Sequence, residues 1–294
     1  MKNRVVVGVD GSDRSLDAVD LAVREAAARD LPLHVVYAYL WPYVAAPPGA
    51  APVSLSDDAL RHDAERVVRG AVERARTTGP SVEITGETVV GAPAAALTDR
   101  SRTAALVVVG DRGLGGFTGL LVGSVAVALA PHAACPVLVA RGRTDPTGNV
   151  LVGVDGSPAG EPAVGFAFEE AALRGADLTA LHAWTHPVRA EPGDMLPLVY
   201  DPAQVRAGEE RVLAEVLAGW CDKYPDVTVQ RRLVHGHTRQ SLIGATGQAQ
   251  LVVVGSRGRG GFTGLLLGSV SQAVLHHAAC PVAIVHQTHA QIRS

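Results

Sequence analysis

Short, almost unbroken runs of valine and leucine alternate along this chain with longer stretches in which apolar residues, many of them alanine, recur at helical spacing. Residues 4–9 (Arg-Val-Val-Val-Gly-Val) are apolar at successive positions, which predicts a strand covered on both faces, as in a parallel sheet. Asp10-Gly11-Ser12 then turns the chain into an alanine-rich helix over 13–29. The same alternation predicts a strand at 33–39, a helix at 57–77, a strand at 82–89, a short helix at 92–102, and strands at 105–110 and 136–140. Between the last two strands lies a glycine-rich loop, 111–123, after which Ser124 is placed to cap a further helix.

From Val150 the order repeats. Gly153-Val154-Asp155-Gly156-Ser157 matches Gly8 to Ser12, and Pro158 falls where the first helical position is expected. The run from Leu106 through Gly110 and Gly113 recurs at Leu251 through Gly255 and Gly258, and residues 106–137 agree with 251–282 at 24 of 32 positions. A duplicated domain keeps its fold by keeping its apolar pattern, so a loop retained residue for residue implies a shared chemical task. The 294 residues suffice for two domains, over 1–143 and 149–288, each large enough to bury its own core. The polar, turn-forming stretch around 141–149 joins them, and 289–294 form a flexible tail.

Five parallel strands joined by helices make an open, doubly wound α/β sheet, whose ligand crevice lies beyond the carboxyl ends of the strands where the strand order reverses. Asp10 and Gly110 both fall at such ends, so they are expected to meet across one crevice. The loop spacing is Gly110-x2-Gly113-x9-Gly123-Ser124, and again Gly255-x2-Gly258-x9-Gly268-Ser269. Glycines let main-chain N–H groups approach an anion, and the helix start after Gly123 and Gly268 adds further donors and a hydroxyl, an arrangement suited to a polyphosphate. Asp10 and Asp155 are placed to accept from an adenine amino group or a ribose hydroxyl, although each reads equally well as a turn or capping residue. Ala38 and Ala183, late in the second strand of each half, supply a flat apolar wall for a base. Where the second half has Ser256 and Arg259 the first has Asp111 and Leu114, so tighter phosphate binding is expected at the second site.

A net charge of −3 and a pI near 6.4 argue against a nucleic-acid surface. No apolar span is long enough for a bilayer, and the chain enters its first strand without a signal-peptide region, so a soluble cytoplasmic protein is expected. Cys135, Cys221 and Cys280 have no metal or redox spacing, and the first and last read as buried small apolar residues. There is no GxxxxGK[ST], GxSxG, HExxH or GxGxxG pattern, and no evident general base beside the loop. His235-Gly236-His237 reads as a loop with solvated histidines rather than a metal pair, and His132, His276 and His277 as helix-end residues. The proline-rich segments 40–56 and 185–202, carrying Trp41, Tyr43, Met195 and Tyr200, are candidates for lids over the crevices, or tethers. Phe117 and Phe262 read as anchors of the glycine loop or as packing against a partner surface, rather than as stacking on a base.

The strand-Gly-Val-Asp-Gly-Ser turn followed by G-x2-G-x9-G-[ST] after the fourth strand resembles the universal stress protein family, in its ATP-binding branch and tandem two-domain form. The resemblance covers essentially the whole chain. It implies two Rossmann-like five-stranded sheets of order 3-2-1-4-5, paired through their last strands, with further homodimerisation possible. It also implies adenosine contacts from Asp10, Asp155, Ala38 and Ala183. Phosphate and ribose contacts are implied for Gly110, Gly113, Gly123, Ser124 and Val125, and for Gly255, Gly258, Gly268, Ser269 and Val270. The cofactor implied is ATP, with Mg2+ carried by the nucleotide and no metal ligand from the protein. Its role would be regulation of a stress or dormancy response through an unknown protein partner, without nucleic acid or membrane. A slow ATPase or nucleotide phosphotransferase using the same sites is the alternative, and an interaction scaffold with vestigial sites a third.

Overall fold

The computed structural model describes residues 3–40, 57–114, 122–143, 145, 147–185, 201–259 and 267–287. The tail, most of the two candidate lid segments, and Phe117 and Phe262 lie outside the described residues. The chain divides into two compact units, Met1–Thr144 and Asp145–Ser294.

In the first unit β1 (Val5–Val9), α1 (Asp13–Ala28), β2 (Leu33–Tyr39), α2 (Asp57–Thr78), β3 (Ile84–Val90), α3 (Pro93–Ser101), β4 (Leu106–Gly110), α4 (Ser124–Leu129) and β5 (Val137–Ala140) follow in order. The strands lie side by side as β3-β2-β1-β4-β5, all parallel. The valine runs explain the order. Val5, Val6 and Val7 of β1 and Leu106, Val107 and Val108 of β4 are fully buried, which only central strands covered on both faces allow. β3, by contrast, exposes alternate stretches and stands at the sheet edge. Helix α1 turns Ala18, Val19, Leu21, Ala22 and Ala26 onto β1 and β4, a stripe at helical spacing. It starts where Ser12 Oγ accepts from the Ser15 N–H.

The second unit repeats this with β6 (Asn149–Gly153), α5 (Glu161–Arg174), β7 (Leu178–Trp184), α6 (Pro202–Lys223), β8 (Val229–His235), α7 (Thr238–Ala245), β9 (Ala249–Gly255), α8 (Ser269–His277) and β10 (Val282–Val285). Its strands are likewise parallel, in the order β8-β7-β6-β9-β10. Each unit therefore has the doubly wound 3-2-1-4-5 arrangement. Gly165 on α5 is where Trp220 of α6 packs directly on the helix backbone, and Trp220, Phe168 and Tyr224 stack beneath it.

Two local expectations are corrected. Ser124 and Ser269 do not cap α4 and α8; Gly123 and Gly268 are the extended cap residues, and each serine is the first helical residue. The serine hydroxyls are thus left out of capping. Pro158 does not open α5 either, since residues 158–160 form a turn and the helix begins at Glu161 with Pro162 in its first turn. Gly160 is poorly suited to a helix interior, and it accommodates the turn instead. Cys135 and Cys280 are buried as expected, and Cys221 is half-buried. No described helix is long and apolar enough to cross a membrane.

Candidate functional site

Strand order reverses between β1 and β4, and a cavity of about 600 Å³ opens there at their carboxyl ends. Asp10, Ala38, Gly110, Gly113, Gly123 and Ser124, singled out from the sequence, and Val125, implied by the resemblance, lie together on its wall. Its lining includes the apolar Val36, Ala38, Pro93 and Leu97 together with Gly110, Gly113, Gly123, Ser124 and Arg112. Val127 N–H is bonded to the Gly123 carbonyl, so the N–H groups of Ser124, Val125 and Ala126 precede the first helical bond and are available to a ligand.

The loop is closed at its neck by main-chain bonds. Gly123 N–H donates to the Asp111 carbonyl at 2.6 Å, and Asp111 N–H continues the ladder to Ala140. The second half repeats both bonds, from Gly268 to Ser256 at 2.8 Å and from Ser256 to Val285. A Cβ on Gly110 would meet the Arg14 carbonyl oxygen at 2.9 Å, which fixes glycine there through packing against the start of α1.

The aspartate does something that sequence spacing did not reveal. Asp10 Oδ1 accepts from Ser12 N–H and Oγ–H at 3.0 and 2.6 Å, while Oδ2 accepts from Leu114 N–H at 2.7 Å, tying the β1 turn to the glycine loop 104 residues away. Asp155 makes the same three bonds, to Ser157 N–H and Oγ–H and to Arg259 N–H, at 2.9, 2.7 and 2.9 Å. The turn reading of this residue is therefore the one observed, and a carboxylate with up to four acceptor positions keeps capacity for a further donor. Gly113 is glycine because this carboxylate occupies its Cβ position, 2.1 Å away; at Gly258 the corresponding distance is 2.7 Å. Gly11 and Gly156, at φ +87° and +72°, supply the left-handed residue of each Asp-Gly-Ser turn.

The structure also places the residues that distinguish the halves. Asp111 is buried and absent from the described cavity wall; its Oδ1 has no hydrogen bond, and Arg14 Nε and Arg112 Nε each stand 3.9 Å from one of its oxygens. Leu114 is exposed at the mouth, whereas the Arg259 guanidinium lies against Gly156. Tyr37 and Tyr39 on the wall were not singled out from sequence, although they flank Ala38 on β2. Burial, reinforced by the Asp10 and Asp63 carboxylates, raises the Tyr37 hydroxyl above its ordinary pKa. His235 ends β8, His237 caps α7, and His132, His276 and His277 lie at helix ends. Among the described residues no group of three His, Cys, Asp or Glu is placed to hold a metal.

The universal stress protein family matches residues 1–141 and again 146–286. The chain belongs to this family. A universal stress protein of Mycolicibacterium smegmatis is 40% identical over 291 residues, covering 96% of both chains. One of Mycobacterium tuberculosis is 40% identical over 298 residues, covering 97% of this chain and 96% of its own. The crystal structure of a universal stress protein from Archaeoglobus fulgidus superposes with a TM-score of 0.69 at 19% identity, over 97% of this chain and 99% of that one, a likeness of fold. The family's tandem form accounts for the repeat.

Proposed function

We propose that this universal stress protein is a cytoplasmic, ATP-binding regulator of a stress response, in which occupancy of one crevice per domain, over 1–143 and 149–288, biases conformation or partner binding. The observation that carries the reading is the convergence of the repeated glycine-loop residues with Asp10 and Ala38 on one cavity at the strand-order switch. The apolar lining residues suit a purine. The glycine loop, the Ser124 and Val125 amides and the Arg112 guanidinium suit phosphates, with Mg2+ held by the nucleotide. Asp155, Ala183, Gly255, Gly258, Gly268, Ser269 and Val270 take the equivalent roles in the second domain.

Binding rather than turnover is favoured by the state of Asp10. It is the one carboxylate on the described wall, and three donors from the turn and the glycine loop already hold its oxygens in a structural role. A ligand preferring one conformation shifts its population, which is how a binder without catalysis transmits a signal. Mass spectrometry of nucleotide released from the freshly purified, denatured full chain tests this. Intact ATP is expected, and it should survive long incubation with Mg2+. Sustained ADP formation would favour the enzyme reading, and failure both to retain and to rebind ATP would overturn the proposal.

A further inference from the structure

A second concavity opens on the first unit at the opposite end of α3 from the glycine-loop cavity. Pro93 and Leu97 line the one, whereas Asp99 and Arg100 line the other, together with Arg4 before β1, His34 on β2, Glu87 on β3 and Thr103 after the helix. It measures about 240 Å³, below the range of about 300–1,000 Å³ usual for drug-sized ligands. Only a small molecule fits.

Its lining sets unused donors beside unused acceptors. Arg100 commits Nε to Glu87 Oε1 at 2.7 Å, and His34 commits both ring nitrogens, Nδ1 at 2.8 Å from Thr85 Oγ1 and Nε2 at 3.1 Å from the same Glu87 oxygen. Among the described residues, Arg100 Nη1 and Nη2 and the whole Arg4 guanidinium make no hydrogen bond, and Glu87 Oε2 accepts none. Asp99 is exposed, and its nearest cation, Arg102 Nε, stands 3.8 Å away. Two guanidinium groups and two carboxylates thus keep bonding capacity for a ligand. The fold does not require them. At the repeat offset, which the matching registers Leu33 to Ile84 and Leu178 to Val229 fix, Arg4, Glu87, Asp99 and Arg100 become Asn149, Arg232, Gly244 and Ala245.

The two positive and two negative charges of the lining cancel, and this decides the class of ligand. A bare anion such as phosphate gains at Arg4 and Arg100 but is repelled by Glu87 and Asp99, whereas a molecule with a carboxylate and an ammonium meets an opposite charge at each end. We infer that this concavity binds a small zwitterion, a free α-amino acid, whose carboxylate is taken by Arg4 and the Arg100 Nη groups and whose ammonium is taken by Glu87 Oε2 and Asp99. A guanidinium fork matches a planar carboxylate, and an ammonium brings the donors that the carboxylate oxygens lack. The bonds from Arg100 and His34 fix Glu87 before any ligand arrives, and the Arg100 bond above all holds its pKa below the usual value. Such preorganisation lowers the cost of binding. The inference does not rest on the nucleotide reading, because the concavity shares no lining residue with the glycine-loop cavity.

Calorimetry of the full chain with each common amino acid in turn, followed by amide NMR with those that bind, tests the site. At least one amino acid is expected to bind saturably with a Kd of about 1 mM or tighter, shifting the amides of Arg4, His34 and Thr103. Its N-acetyl and its amide derivative each lack one charge and should bind about tenfold more weakly, as should the free amino acid to an Arg4→Gln variant. Arg4 has no side-chain bond to lose, so that variant should unfold at the urea concentration of the wild type, and the two derivatives decide the matter whatever its stability. No saturable binding by any amino acid, equal binding of either derivative, unchanged affinity in Arg4→Gln, or shifts confined to the glycine-loop cavity would each overturn the inference. Inorganic phosphate shifting the same amides with higher affinity than the amino acid would overturn it as well, and would leave a simple anion site.

Discussion

Replacing Gly113 by alanine tests the clamp between the Asp-Gly-Ser turn and the glycine loop. The new Cβ would stand 2.1 Å from Asp10 Oδ2, and neither Gly113 nor Gly258 has a positive φ, so the conflict is with the carboxylate and not with the backbone. Asp10 is a short side chain whose Oδ1 is held by two Ser12 donors, so it yields by giving up the Leu114 N–H bond. A hydrogen bond to a charged group contributes about 1.5–3 kcal/mol, and the exposure of Leu114 favours the lower half, giving a loss of about 2 kcal/mol. Gly258→Ala begins from 2.7 Å and should cost about half as much, because a smaller shift of Asp155 relieves it. Urea unfolding of both variants, each also made in the Asp→Ala background, forms a double-mutant cycle. With Asp10 removed, Gly113→Ala should become neutral or stabilise by about 0.5 kcal/mol, through the lower entropy of the unfolded chain. A penalty that persists undiminished in the Asp10→Ala background would refute the clamp.

Three further outcomes follow from particular contacts. Asp111→Ser should raise ATP affinity at the first site about fivefold by calorimetry, since it removes an anion that stands 3.9 Å from the Arg112 guanidinium beside the proposed phosphates. Glu87 accepts from Arg100 Nε and His34 Nε2, and the Arg100 bond above all holds its pKa below the usual value. That stability is present above the unfolded-state value and lost as pH falls through the folded one, so Glu87→Gln should cost about 1 kcal/mol at neutral pH and nothing in strong acid, solvent screening included. Gly165→Ala would set a Cβ 2.4 Å from the Trp220 ring, and despite the helix propensity of alanine it should destabilise by about 1–2 kcal/mol in thermal unfolding.

The features legible in sequence are those written locally. Unbroken valine runs marked β1 and β4 as central strands, and the offset between copies fixed the equivalence of the two halves. The positions of Asp10 and Gly110 at strand ends were enough to bring them to one cavity, because a doubly wound sheet has one place for such ends to meet. What stayed hidden depends on contacts across long separations. Nothing near Gly113 in sequence indicates that the Asp10 carboxylate fills its Cβ position. Ser124 matched a cap by type, but cap geometry is a matter of backbone angle, and Gly123 took the extended conformation instead. Tyr37 and Tyr39 passed as ordinary strand residues, since alternation shows which face a residue occupies and not that the face ends in a cavity.

Calorimetric titration of the full chain with ATP and Mg2+, beside a variant carrying Gly123→Val and Gly268→Val, tests the central claim most directly. The account expects saturable binding of one nucleotide per repeat in the wild type and its loss in a variant that still unfolds cooperatively. Absence of saturable binding by the wild type, or equal binding by the folded variant, would contradict it.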